Sequence, residues 1–257
     1  MDKKNYILEK LKIVGISADE KTAEMFLMYE EMLVEKNKVM NLTAITEFED
    51  VVEKHFIDSL APLFENVSRE TYEAVGTRNV SRETFLAKDV KIVDVGTGAG
   101  FPGLPLKIAL PDAELHLIDA LNKRVEFLCE VTNSLKLKNV KTLHSRAEDA
   151  ARLDNYRERF DICVSRAVSD LAVLVEYCLP FVRKGGIFVA YKSEDCDEEL
   201  ENAKVAIETL GGRLTQIETI VLPDSNIKRK LVIIEKVNDT PDKYPRKAGK
   251  PEKKPIR

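Results

Sequence analysis

An acid followed by alternating glycines is the stretch of this chain best suited to holding a small ligand. Asp94, Gly96, Gly98 and Gly100 fall within "KIVDVGTGAGFPGLPL", a strand-forming run that enters a turn without side chains. Such a turn lets the backbone approach a ligand closely. The spacing separates ligand classes. A dinucleotide fingerprint, G-x-G-x-x-G, needs a third glycine where Phe101 stands. A phosphate-cradling loop, G-x-x-x-x-G-K-[ST], needs a Lys-Ser or Lys-Thr that does not follow here.

What remains resembles the first motif of S-adenosylmethionine-dependent methyltransferases. The next strand, "ELHLID", ends in Asp119, placed to accept hydrogen bonds from both hydroxyls of an unphosphorylated ribose. The same carboxylate could serve as an N-cap for the helix that follows. After the third strand, "HSRAEDA" sets Ala147 and Glu148 where an adenine wall and its hydrogen-bonding acid would lie. Glu148 could equally be a solvated acid in the first turn of a helix. The glycines, both acids and the closing hairpin described next favour a methyltransferase over a nicotinamide-dependent oxidoreductase.

From residue 90 strands and helices alternate, the mark of a parallel sheet. Strands are predicted at "VKIVDV", "ELHLID", "VKTLH", "DICVS" and "GIFVAYK", with helices at "LPLKIAL", "NKRVEFLCEVTNSLK", near "RAEDAAR", and at "LAVLVEYCLPFV". Following the helix "DEELENAKVAIETLGG", the β-rich runs "RLTQIETIVL" and "KRKLVIIEKV" are joined by "PDSNIK". That link is too short for a helical crossover, so the two runs should pair antiparallel. The expected fold is α/β and Rossmann-like: the class I methyltransferase sheet, mostly parallel, closed by an antiparallel hairpin. An N-terminal helical extension precedes it. Ser17 and Glu20 have capping-box spacing, and Phe26, Tyr29 and Leu33 recur on one helical face. Val52, Phe56, Leu60 and Leu63 mark one side of a further helix. His55, Asp58 and Ser59 share a neighbouring face, read as a polar packing surface because no nucleophile elbow accompanies them. The expected boundaries are a helical region over 1–64, an inserted surface loop over 65–87, the methyltransferase domain over 88–237 and a basic tail over 238–257.

Composition narrows the setting. With 257 residues the chain can bury a sizeable core. Its 40 Lys and Arg against 44 Asp and Glu argue against a wholly basic nucleic-acid-coating protein while permitting a local basic patch. Cys129, Cys163, Cys178 and Cys196 form no C-x-x-C pair and read as reduced thiols. No metal site is expected. Neither a signal peptide nor a run of about 20 apolar residues is present, so no membrane partner and a cytoplasmic location are expected.

Two segments stand outside the α/β plan. The tail "PDKYPRKAGKPEKKPIR" reads as extended and solvated when free. In the insert, the hexapeptide NVSRET occurs at 66–71 and again at 79–84. One back-translation contains TGTTTCACGTGAAACA, which is its own reverse complement and resembles the centromere-like site bound by bacterial chromosome-partitioning proteins. The repeat is therefore read either as a DNA element tolerated in a surface loop or as a tandem duplication.

The order of "NLTAI", "HFIDSL", "DVGTGAGFPGLPL", "LIDALNKRVEFL", "HSRAED" and "SRAV", with the tail "TPDKYPRKAGKPEKKPI", resembles the ribosomal RNA small subunit methyltransferase G family (glucose-inhibited division protein B). The resemblance implies methyl transfer from S-adenosylmethionine to N7 of a guanosine in the decoding-region loop of 16S ribosomal RNA, the naked RNA or the small subunit being the partner. It also implies that Gly96, Phe101, Ala147, Glu148 and Arg166 contact the cofactor. Guanine N7 has an in-plane lone pair and no proton, so no general base is expected, and catalysis should rest on alignment. Arg166 is expected to shape the site and contact guanine or phosphate, or else to pair with a neighbouring acid. Asn41, His55, Lys123, Arg124 and Lys192 are candidate RNA contacts. The competing readings are a methyltransferase for another RNA or for a small molecule, and a non-catalytic RNA-binding assembly factor.

Overall fold

A computed structural model describes residues 2–65, 68–71, 80–166 and 169–257. An eight-stranded sheet, whose central strands are near-continuous buried runs, comprises β1 (Ser68–Thr71), β2 (Lys91–Val95), β3 (Glu114–Asp119), β4 (Val140–His144), β5 (Phe160–Ser165), β6 (Val182–Ser193), β7 (Gly212–Val221) and β8 (Lys228–Lys236). Their order across the sheet is β1-β7-β8-β6-β5-β2-β3-β4. β2 pairs in parallel with both β3 and β5, β3 with β4, and β5 with β6. β8 runs antiparallel between β6 and β7, which is the expected hairpin closure. Chain order reverses at β2, and in open parallel sheets the crevice at the carboxyl ends of strands beside that reversal is where ligands bind.

Because successive strand residues point to opposite faces, the sheet feeds two cores. Ile92, Leu117, Val164, Val189 and Ile233 face one way. They share a cluster with α5 (Gly103–Ala109), α6 (Asn122–Ser134) and the N-terminal helices α1 (Lys3–Ile13) and α2 (Glu20–Met40). Val93, Ile118, Cys163, Phe188 and Val232 face the other way. That side is covered by α8 (Leu171–Cys178) and α9 (Asp197–Thr209), with α7 (Ala147–Ala150) at the strand ends. Ile7, Leu11, Phe26, Tyr29 and Leu33 are at most 1% exposed, so the N-terminal helices complete one face of the sheet.

Local signals set most of these elements. α2 begins at Asp19, whose side chain accepts from Thr22 N at 2.8 Å; Asp19, not Ser17, is the cap. The helix of residues 48–57 starts as α3 (Phe48–Val51) and widens into a π-helical stretch, Val52–Ile57. π-Helical turns are frequent at functional sites, and this one, with the turn that follows it, presents His55, Asp58 and Ser59 together to Arg166.

The insert differs from the expected loop. Ser68–Thr71 joins the sheet edge antiparallel to β7, and Val80–Phe85 forms a helix, α4. The first copy of the hexapeptide thus supplies a strand and the second a helix. Residues 66–67 and 72–79 lie outside the described residues, as do Ala167 and Val168 of the "SRAV" motif. The tail departs from expectation too. It packs on the protein and carries a short helix, α10 (Lys250–Lys253), because Arg246 and Glu176 pair across it and Tyr244 and Ile256 pack on the second core. All four cysteines are free, and Cys163, Cys178 and Cys196 are buried.

Candidate active site

The turn after β2 is built by Asp94. Its Oδ2 accepts from the Thr97 hydroxyl at 2.6 Å and from Gly103 N at 2.8 Å, tying both ends of the turn to one fully buried carboxyl. Burial pushes this acid up to about 7, against the pull of those two hydrogen bonds and of Arg166. Gly96, Gly98 and Gly100 all have positive φ, at 72°, 61° and 107°. Their surroundings differ. A Cβ at Gly96 or Gly98 would meet nothing within 4 Å, whereas one at Gly100 would lie 2.5 Å from Leu104 Cδ1 and from Tyr29 Oη. The first two glycines leave open space over the backbone; the third allows helix and turn to pack.

The opening at Gly96 belongs to a cavity of about 210 Å³ lined also by Asp119, Ser145, Ala147, Glu148 and Tyr177, among others. Asp119, 3% exposed at the end of β3, accepts from Gly98 N and from Leu121 N, each at 2.9 Å. It therefore links the glycine turn to the start of α6; Oδ1 keeps a second lone pair for a ligand hydroxyl, while Oδ2 also accepts from Arg124 Nη1. Arg124 lies 3.5 Å from the same carboxylate. Glu148, 5% exposed, accepts from Gly249 N at 3.2 Å. Gly96, Asp119, Ala147 and Glu148 thus come together as the sequence predicts, with Gly98 bonded to Asp119.

Phe101 and Arg166 sit elsewhere. Phe101 stacks on His55 at 4.5 Å between ring centroids and on Tyr29 at 5.5 Å, facing α2 and the π-helical stretch. The Arg166 guanidinium lies 4.9 Å from the Phe101 ring centre and pairs with Asp58 at 2.9 Å. Asp58, 1% exposed, also receives Arg229 Nε at 3.0 Å, so one buried carboxylate holds two arginines. Arg166 Nη2 lies 3.3 Å from His55 Nδ1, and Thr43 Oγ1 lies 2.7 Å from His55 Nε2. Burial, then the charge of Arg166, holds this imidazole down to about 4. A neutral ring with an acceptor facing Arg166 and an N–H facing Thr43 satisfies both contacts.

The candidate RNA contacts divide. Asn41 is exposed at the left-handed end of α2, opening the loop that carries Thr43 to His55, and Lys123 is exposed at the start of α6. Lys192 is corrected: it is buried, paired with Glu199 at 2.5 Å and bonded to the Ser169 carbonyl at 2.9 Å, and is not presented for phosphate. Tyr177, Arg229 and Glu252 were not singled out from sequence, whereas Tyr29 was read only as part of an apolar helical face and Asp58 only as part of a polar packing surface.

A glycine crevice at the sheet's switch point, with an acid ending the adjacent strand and a terminal antiparallel hairpin, defines a class I S-adenosylmethionine-dependent methyltransferase. The residues fit that cofactor: side chains at Gly96 or Gly98 would occupy open space beside the buried Asp119 carboxylate. Comparison with known proteins specifies the family. The family model of rRNA small subunit methyltransferase G matches residues 22–231. Proteins named ribosomal RNA small subunit methyltransferase G from Lachnoclostridium phytofermentans and Clostridium tetani are 47% and 48% identical, over 97% and 95% of this chain and 96% and 95% of theirs. The protein of that name from Alkaliphilus metalliredigens is 44% identical over the full length of both chains. The chain belongs to the rRNA small subunit methyltransferase G family.

Among the described residues, no helix is long and apolar enough to cross a membrane.

Proposed function

We propose that this cytoplasmic enzyme transfers a methyl group from S-adenosylmethionine to N7 of a guanosine in 16S ribosomal RNA. The observation that carries the reading is the bare Gly96 and Gly98 backbone beside the Asp119 carboxylate, in a chain whose relatives carry the ribosomal RNA methyltransferase name. S-adenosylmethionine supplies an electrophilic sulfonium methyl. Asp119 accepts from the ribose hydroxyls, Ala147 and Glu148 border the adenine, and Gly96 and Gly98 leave room for the methionine end. Phe101 and Arg166 turn their side chains toward the N-terminal helices, so their contribution to the donor comes from the main chain.

The chemistry asks little of the side chains. Guanine N7 presents a lone pair and sheds no proton, so the protein has only to align the reactants. His55 supports this, because both ring nitrogens have partners and burial keeps it neutral at pH 7. Cys163 is poorly suited to covalent attack, since it lies inside β5 and burial pushes its thiol up. Arg166, just after β5, is held against Asp58 with its side chain 17% exposed. Asn41, Lys123 and Arg124 supply polar and cationic groups for the RNA backbone.

Gene deletion followed by mapping of 7-methylguanosine in 16S rRNA tests the assignment. The modification should vanish and return with the wild-type gene but not with Asp119→Ala. Its persistence in the deletion strain would refute the substrate.

A further inference from the structure

The basic C-terminal segment lies against the donor cavity, fixed by contacts that charge alone does not explain. Arg246 forks onto Glu176 of α8, with Nε 2.9 and 3.0 Å from the two carboxylate oxygens, Nη2 2.5 Å from Oε2, and its backbone N 2.7 Å from Oε1. Glu176 is 1% exposed, so this is a desolvated, bidentate pair of the stronger kind. Arg157 donates to the Thr240 carbonyl at 2.7 Å and to that of Tyr244 at 2.9 Å. Pro251 is buried, and Tyr244 and Ile256 pack on the second core.

These contacts deliver two groups to the cavity. Gly249 N donates to Glu148 Oε1 at 3.2 Å, engaging the acid placed beside the adenine. Glu252 of α10 lines the cavity next to Tyr177. A carboxylate there is an acceptor suited to a purine's exocyclic amine. With the segment docked, the cavity measures about 210 Å³. Small-molecule sites usually span roughly 300–1,000 Å³.

We propose that residues 240–257 are a movable wall of the donor pocket, latched by Arg246 on Glu176, that opens to admit S-adenosylmethionine and closes over its adenosine end. This rests on the donor assignment above. Seven Lys and Arg residues between 243 and 257 make the wall's position readable by trypsin. Lys247 and Ala248 are exposed, so cleavage between them reads how firmly the docked segment holds their backbone, and a ligand that binds the closed form must slow it.

The test uses the full chain, with S-adenosylhomocysteine as probe. Calorimetry should show affinity weakened by roughly fivefold or more in Arg246→Ala and in Glu252→Ala. Glu252 is exposed and free of the latch, so its replacement leaves folding intact should Arg246→Ala prove unstable. In wild-type protein, saturating S-adenosylhomocysteine should slow cleavage after Lys247. Unchanged affinity in the folded variants, or cleavage at one rate with and without the probe, would overturn the proposal while leaving the donor assignment standing. A wild-type chain that fails to bind the probe would refute the donor assignment itself.

Discussion

Replacing Gly96 and Gly100 by alanine, one at a time, separates the glycine turn's binding role from its folding role. Both residues have positive φ, which costs an L-residue about 1–2 kcal/mol. At Gly96 that is the whole structural penalty, because the new methyl meets nothing within 4 Å. The methyl instead enters the space assigned to the donor, and overfilling a packed site costs about 1–3 kcal/mol. That corresponds to roughly 5- to 150-fold weaker binding. Gly100→Ala behaves differently. Its methyl would sit 2.5 Å from both Leu104 Cδ1 and Tyr29 Oη, adding an overpacking cost to the backbone strain. Destabilisation of about 2–5 kcal/mol is expected. Thermal unfolding and calorimetric titration with S-adenosylhomocysteine distinguish the pair: Gly96→Ala folds but binds poorly, whereas Gly100→Ala loses stability. A Gly96→Ala protein with wild-type affinity, or a Gly100→Ala protein with wild-type stability, would refute the reasoning.

Arg166→Ala should cost about 1.5–3 kcal/mol, the worth of a hydrogen bond to a charged group, because buried Asp58 keeps only Arg229. It should lower methyl transfer to undermethylated small subunits without a comparable loss of S-adenosylhomocysteine affinity; an equal loss would place the Arg166 side chain in the donor site. Asp94 gives a pH signature. Its folded pKa, about 7, lies above the ordinary 3.8, so its contribution to stability is full below about pH 4 and is lost as pH rises through 7. In Asp94→Asn, denaturant titrations should lack that decline, and a parallel decline in both proteins would contradict the buried-acid account. Sequencing the gene tests the hexapeptide repeat: the DNA-element reading requires TGTTTCACGTGAAACA in both copies, and synonymous departures would reject it.

The parallel strands were legible because their apolar runs and flanking turns are local, and the hairpin because six linking residues allow no crossover. That Gly96, Asp119 and Glu148 would converge on one cavity was legible because strand ends beside a topological switch point open on the same crevice. What escaped depends on distant partners. The hexapeptide shows this most plainly: within it, Ser68–Thr71 is a strand where β7 offers an edge, and the second copy is helical within Val80–Phe85. Identical local sequence cannot decide between the two. The tail reads as solvated by composition, yet Glu176 on α8, 70 positions from Arg246, fixes it in place. Lys192 reads as an exposed cation at a strand end until α9 brings Glu199 to cover it. Phe101 and Arg166, recognisable by motif, take their side-chain surroundings from Asp58, in the separate HFIDSL run, and from Tyr29 on α2, both distant in sequence.

The most direct test of the account is a crystal structure with S-adenosylhomocysteine bound. The account predicts both ribose hydroxyls on the Asp119 carboxylate, the adenine between Ala147 and Glu148, and the amino-acid end over the Gly96–Gly98 backbone. A ligand seated elsewhere, or Asp119 turned away from the ribose, would contradict it.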